Sequence, residues 1–419
     1  MATQTMNPAA PVAMASRALV PGPAAMTAAI IALAAAYLYS VVSWRQAALF
    51  LVGAGAGVVL YHAAFGFTSS WRVFISDRRG AGLRAQMLML AMTCAVFFPV
   101  IAAGTFWGQP VRGSVSPVGV GVAAGAFMFG IGMQLGGGCA SGTLFSVGGG
   151  STRMLVTLFF FIVGSVIGTA HTPWWNGQPA FAATSVVTLW GPWVGLAACL
   201  ALFGAITWLT IVAEKTRHGR LFEGPLALSE QPRTVGGRWR VEGRWLTGPW
   251  PLVAGAVGLA LVNIATLTIG GRPWGVTSAF ALWGAKPLAA LGVDVASWPY
   301  WSAPAQATAL RSSVLMDVTS VMNFGIILGA LTAAILAGKF APVWKVSNRS
   351  LVAAVAGGIL LGYGARIAYG CNIGAYFSGI ASGSLHGWLW LVAAFAGNIV
   401  GTRLRPLFDL SVERTRTAC

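Results

Sequence analysis

Gly130-Ile131-Gly132-Met133-Gln134-Leu135-Gly136-Gly137-Gly138-Cys139-Ala140-Ser141-Gly142 decides how this chain is read. The same frame returns as Gly362-x-Gly364 followed by Gly370-Cys371-x-x-Gly374, with every spacing kept. Such a match is hard to obtain by chance and marks an internal duplication. A shorter pair supports it: Phe65-Gly66-Phe67-Thr68-Ser69-Ser70-Trp71 reads again as Trp274-Gly275-Val276-Thr277-Ser278-Ala279-Phe280. Downstream, Gly164 to Gly168-Thr169 is echoed by Gly397 to Gly401-Thr402 after a one-residue slip.

The medium in which these repeats fold follows from composition. Of 419 residues, 57% are hydrophobic and only 8% are charged, whereas a soluble domain carries roughly a quarter charged residues. Apolar runs lie near 25–43, 47–64, 86–103, 118–136, 154–170, 183–213, 251–269, 312–338, 351–369 and 388–402. The eighth carries Asp317 and the ninth Arg366. Each is long enough to cross a bilayer as a helix of about twenty residues. The chain therefore reads as an all-α, polytopic membrane protein of about ten spans, with the lipid bilayer as its solvent. The stretch before the first run, with Arg17 its only charge, resembles a signal peptide weakly at best and reads as a disordered tail before an uncleaved first helix.

A net charge of +17 would suggest nucleic acid in a soluble protein. Here the positions of the charges describe topology instead, and no nucleic acid is implied. With ten spans and a cytoplasmic N-terminus, Arg45, Arg112, Arg272, Lys286, Arg311 and Arg366 fall on one side, and every other Lys and Arg falls on the other. That bias predicts both termini inside. The organisation expected is a tail over 1–24, an extra first helix over 25–45 and a first repeat with its connecting helix over 46–213. A basic cytoplasmic linker over 214–248, a second repeat over 249–405 and a C-terminal tail over 406–419 follow. Corresponding helices of the two halves are an odd number of spans apart, so the halves are expected to be inverted repeats about an axis in the membrane plane.

Inverted repeats place their solute site near the midplane, where interrupted helices offer backbone groups. The Gly136-to-Cys139 and Gly370-Cys371-Asn372 segments supply the interruptions and predict short re-entrant helices that line a cavity. Cys94 and Cys199 lie in plain apolar helices, where free cysteine packs as a small hydrophobe, and Cys419 is terminal. Cys139 and Cys371 differ, because each holds the equivalent place in a repeat. The four histidines lie far apart without ligand spacing, so neither a metal nor another cofactor is predicted.

These residues resemble the YeeE/YedE membrane proteins, thiosulfate uptake transporters of bacterial inner membranes. The resemblance rests on the Phe65-to-Ser69 segment, on Asp77-Arg78-Arg79-Gly80-Ala81-Gly82-Leu83-Arg84-Ala85-Gln86, and on both Gly-Cys segments. It implies an hourglass of spanning helices with re-entrant helices from both faces, and a central path where cysteines contact thiosulfate. Cys139 and Cys371 match two of those cysteines. Some members carry a third where this sequence has Gly66, so two thiols are left here. The resemblance also implies a small cytoplasmic TusA-like sulfurtransferase as partner.

A thiol is a weak, polarizable donor suited to the terminal sulfur of a passing dianion. Sites of modest strength permit hopping, whereas a cage of arginines would hold the anion too tightly. The substrate-contacting residues expected are Cys139, Cys371, the adjacent Gly138 and Gly370, Gly66, Thr68 and Ser69, with Gly275, Thr277 and Ser278 in the second repeat. Ser141, Asn372 and Gln134 add neutral groups and Arg366 a cation. The alternative is a membrane sulfurtransferase or oxidoreductase cycling Cys139 and Cys371 through persulfide or disulfide states. The sequence offers no acid-base pair, nucleotide loop or iron-sulfur spacing beside either thiol, which disfavours it.

Overall fold

The computed structural model describes residues 21–222, 244–342 and 344–413. Residues 1–20 of the expected tail, most of the basic linker and Cys419 lie outside the described residues. The first half contains α1 (Pro21–Val41), α2 (Trp44–His62), α3 (Phe67–Asp77), α4 (Ala81–Ala103), α5 (Val120–Gly136), α6 (Ala140–Gly148), α7 (Thr152–Ala170), α8 (Thr172–Asn176) and α9 (Val186–His218). The second contains α10 (Arg244–Thr247), α11 (Leu252–Gly270), α12 (Thr277–Ala290), α13 (Pro299–Ser302), α14 (Pro304–Arg311), α15 (Val318–Leu336) and α16 (Asn348–Ile367). A π-helical turn (Asn372–Phe377), α17 (Ser378–Ala381) and α18 (Leu385–Leu404) complete it. Strand is confined among the described residues to two antiparallel pairs, two residues to a strand.

Ten of the described helical stretches are long and apolar enough to cross a membrane, and they coincide with the ten apolar runs. Several ends differ by a few residues, α1 beginning at Pro21, inside the expected tail, and α4 at Ala81; two further departures have local reasons. The sixth run does not form one straight helix, because Gly191 takes φ +76° and Pro192 has no N–H to donate. The eighth begins late: Asp317 caps α15, its carboxylate accepting from the Ser320 amide at 2.8 Å, and residues 314–316 form a separate 3-10 turn.

Helices in lipid gain little by hiding apolar surface from one another, so close association depends on small residues that let backbones touch. Helix α2 packs along α15, α5 lies against both α16 and α18, and α16 also packs on α7. At the α2–α15 crossing, a Cβ on Gly57 would lie 2.7 Å from the Ala330 amide, and one on Gly325 would lie 2.7 Å from that of Ala54. Gly130 of α5 and Gly397 of α18 face each other in the same way: a Cβ on Gly397 would stand 3.1 Å from the Gly130 Cα and closer still to the Phe127 carbonyl. The order helix, Gly-Cys break, short helix, helix occurs twice, as α5–α6–α7 and as α16 through α18. Exchanging the halves maps the α5–α18 contact onto α16–α7.

Gly397→Val should therefore force α5 and α18 apart and lower stability by about 1–3 kcal/mol, the usual cost of overpacking. Gly204 of α9, where a Cβ would meet nothing within 4 Å, provides the control. Thermal unfolding of the detergent-purified protein should drop for Gly397→Val and stay unchanged for Gly204→Val.

Candidate functional site

The two Gly-Cys segments stop one helix and start another. Helix α5 ends where Gly137 turns to φ +92°, a left-handed conformation that its N–H uses to close on the Met133 carbonyl. The chain then extends through Cys139, which caps the N-terminus of α6. Its Sγ accepts from the Gly142 amide at 3.4 Å and lies 3.5 Å from Ser141 Oγ. In the second segment Tyr369 and Gly370 reverse the chain at φ +58° and +150°. Cys371 then caps the π-helical turn, its Sγ accepting from the Ile373 amide at 3.4 Å. Space and conformation require Gly370, where a Cβ would lie 2.8 Å from the Ala375 amide; at Gly138 a Cβ would meet the movable Met154 Cε at 2.8 Å and the Gly142 and Thr143 backbone at 3.2 Å.

These two caps converge. Helix α6 and the π-helical turn touch, and both thiols belong to one buried cluster, Cys139 being 2% and Cys371 0% exposed. Each thiol faces the free amides of a helix start, which carry partial positive charge without a full counterion. Several of the expected polar groups are buried and unsatisfied. Both side-chain atoms of Asn372 and Thr68 Oγ are buried and make no hydrogen bond within the protein. A buried polar atom left so costs about 1–3 kcal/mol, which a polar solute or water would recover.

The other expected residues divide. Gln134 is fully buried and joins three elements, donating to the Thr68 carbonyl at 3.2 Å and to Asn398 Oδ1 at 2.5 Å, and accepting from Arg72 at 3.4 Å. Gly66 caps α3, with Ser69 Oγ donating back to its carbonyl at 3.2 Å. Thr277 opens α12 and is buried, while Ser278 Oγ donates to Thr319 on α15 at 3.0 Å. Gly275 faces open space. Arg366 is held by Tyr300 of α13, donating to its hydroxyl at 2.8 Å and lying 5.0 Å from its ring centroid.

Some residues of the site carried no signal in the repeat. Gln86 Oε1 accepts from Trp71 at 2.9 Å and from Tyr376, two residues past Gly374, at 3.4 Å, leaving its amide nitrogen buried and unpartnered. Asn263 Oδ1 accepts from the Trp274 amide at 2.9 Å, and Ser378 Oγ donates to the Trp274 carbonyl at 2.7 Å. These bonds tie the first motif of each repeat to the second Gly-Cys segment. Their available signal was an amide side chain inside an apolar run, which in a membrane usually bonds across helices.

A polytopic helical membrane protein with two buried, thiol-capped helix breaks is the class that this fold and site define. The chain belongs to the sulphur transport family, whose model matches residues 62–400. It is similar to the probable transporter YedE of Salmonella typhimurium strain LT2, at 32% identity over 42% of this chain. That match spans 43% of the relative, less than half its length. Similarity extends further to the thiosulfate transporter TsuA of Spirochaeta thermophila, 27% identical over 83% of this chain and 95% of the relative. TsuA of Escherichia coli strain K12 is 24% identical over 83% and 91%.

The geometry separates folding from any role of the thiols. Cys139→Ala and Cys371→Ala each remove a long N–H to sulfur contact, Cys139→Ala also the Ser141 contact, and each should cost about 1 kcal/mol. Gln134→Leu leaves the buried Asn398 oxygen without its donor and should cost about 1–3 kcal/mol. Melting curves of the three purified variants should fall in that order.

Proposed function

We propose that this chain takes up thiosulfate or a related small sulfur anion through the bacterial inner membrane, along a central path lined by Cys139 and Cys371. The observation that carries the reading is the meeting of two helix starts, each capped by a buried cysteine, beside an Asn372 amide without a partner. The family description and the long similarity to two thiosulfate transporters support the choice of solute.

The physical account follows from charge. A dianion repels a thiolate, so each thiol hosts the solute in its protonated form, as a weak donor to the terminal sulfur. The helix-start amides of α6 and the π-helical turn offset the negative charge, and Asn372, Thr68 and Ser141 supply neutral contacts. Two such shallow sites let the anion step from one to the next. Gly66, Thr68 and Ser69 in one half, and Gly275, Thr277 and Ser278 in the other, flank the path in this account. Arg366 contributes at its outer end through Tyr300. The halves act as inverted repeats that admit the anion from opposite faces. Both termini lie in the cytoplasm, where the basic side of the chain faces anionic lipid. Intracellular consumption of sulfur by a TusA-like sulfurtransferase would keep the flux inward.

Uptake of sulfur-35 thiosulfate by cells lacking their own carriers tests this, at equal membrane abundance of each variant. Cys139→Ala and Cys371→Ala should each lose about tenfold or more of the initial rate, the scale of a lost contact worth about 1.4 kcal/mol. Cys94→Ala and Cys199→Ala should keep theirs. Conversion of the anion outside the cell without its uptake would support the thiol-enzyme alternative and defeat this reading.

A further inference from the structure

Three arginines surround the C-terminal end of α5, three residues before Cys139. Arg405 donates to the Gln134 carbonyl at 2.6 Å, and Arg153 donates to the carbonyls of Leu135 and Gly136 at 2.5 and 2.8 Å. Those two guanidinium groups are largely spent on the helix end, where unpaired carbonyls and the helix dipole favour cations. Arg72 is not. It reaches α5 only through the long contact to Gln134 Oε1, and its fork points at Glu413 instead.

Glu413 arrives on a strap. After α18, residues 405–408 form a 3-10 turn and Asp409 reverses the chain at φ +58°. The strap is fastened by Arg405 Nε donating to the Ser411 carbonyl at 2.8 Å, by the Leu410 amide donating to the Arg405 carbonyl at 3.2 Å, and by Ser76 Oγ donating to the Glu413 carbonyl at 2.8 Å. The carboxylate then meets Arg72 with both oxygens, Nε to Oε2 at 2.6 Å and Nη2 to Oε1 at 2.5 Å. The Arg72 side chain is only 10% exposed.

We propose that Arg72, backed by Arg405, is an oxyanion-binding site at one end of the path, and that Glu413 is its built-in, displaceable occupant. A guanidinium fork that accepts a carboxylate through two parallel bonds accepts two oxygens of a tetrahedral sulfur or phosphorus oxyanion equally well. Lifting the strap alone would leave a nearly buried arginine with only its long contact to Gln134, which is costly. Lifting it while an anion takes the same fork exchanges one pairing for another. The strap thus stays down in the empty protein and yields to the anion, opening the end of the path next to the first Gly-Cys segment. Arg72 and Arg405 both act on this one carboxylate, so the site keeps an excess of positive charge when Glu413 leaves. The nearby Asp409 is paired with Arg349 at 3.3 Å. The choice of thiosulfate as the displacing anion rests on the transport reading above; the site itself does not.

The test is hydrogen exchange of the Leu410 amide in the full-length protein in lipid nanodiscs, with thiosulfate, sulfate or chloride at matched ionic strength. Thiosulfate and sulfate should speed exchange about threefold to tenfold over chloride, the scale of one charge-assisted pairing traded for another. Glu413→Gln should exchange at the fast rate in chloride alone, and Arg72→Gln should abolish the response to oxyanions. Equal exchange of the intact protein in all three salts overturns the proposal, whatever uptake shows. Fast exchange in thiosulfate and sulfate from a protein that carries no thiosulfate leaves the oxyanion site standing and removes the transport reading.

Discussion

Backbone polar groups have no water to bond with at membrane depth, and the whole arrangement turns on how two breaks in spanning helices satisfy them. Each break leaves the carbonyls of one helix end and the amides of the next helix start exposed to a medium that cannot solvate them. The carbonyls of α5 are taken by Arg153 and Arg405. The amides of α6 and of the π-helical turn are met in part by the thiols of Cys139 and Cys371. A sulfur at 3.4 Å is a poor acceptor for an amide. The helix starts are therefore under-satisfied as well as buried, which is what the proposed anion path rests on.

The rest of the fold holds those two breaks together. Glycine faces on α2, α5, α15, α16 and α18 let backbones approach closely, which brings the segments after α5 and α16 into contact. Aromatic packing seals the meeting point: Tyr376 stacks on Trp390, and Trp71 meets both rings edge-on. The polar bonds of Gln134, Gln86 and Asn263 then fix α3, α4 and α11 around it.

Much of this was legible in the residues. Hydropathy located the ten spans because lipid imposes a length and a composition that soluble folds do not. The repeated Gly-x-Gly and Gly-Cys spacing located the breaks, since few residues other than glycine accept the positive φ at 137 and 370. Cys139, Cys371, Gln134 and Asn372 were recognisable because each stood beside such a break, and Thr68 because it lies in the repeated Gly-x-Thr-Ser motif. Gln86, Asn263, Ser378 and Tyr376 were not, because their part in the site comes from helices remote in sequence, which periodicity cannot pair. Arg366 shows the reverse limit. It stands five residues before Cys371, yet α16 ends at Ile367, the chain reverses at Tyr369 and Gly370, and its guanidinium is held by Tyr300 instead. The strap that brings Glu413 to Arg72 joins positions at opposite ends of the chain, and no motif announced it.

The central claim is that the anion passes between the two thiols. The most direct measurement is an anomalous-diffraction structure of the protein with selenosulfate, whose terminal selenium replaces the outer sulfur of thiosulfate. The account predicts a selenium peak in contact with Cys139 Sγ or Cys371 Sγ, with the Asn372 amide turned toward the ion. Selenium found only at the arginines around α5, with both thiols untouched, would contradict it.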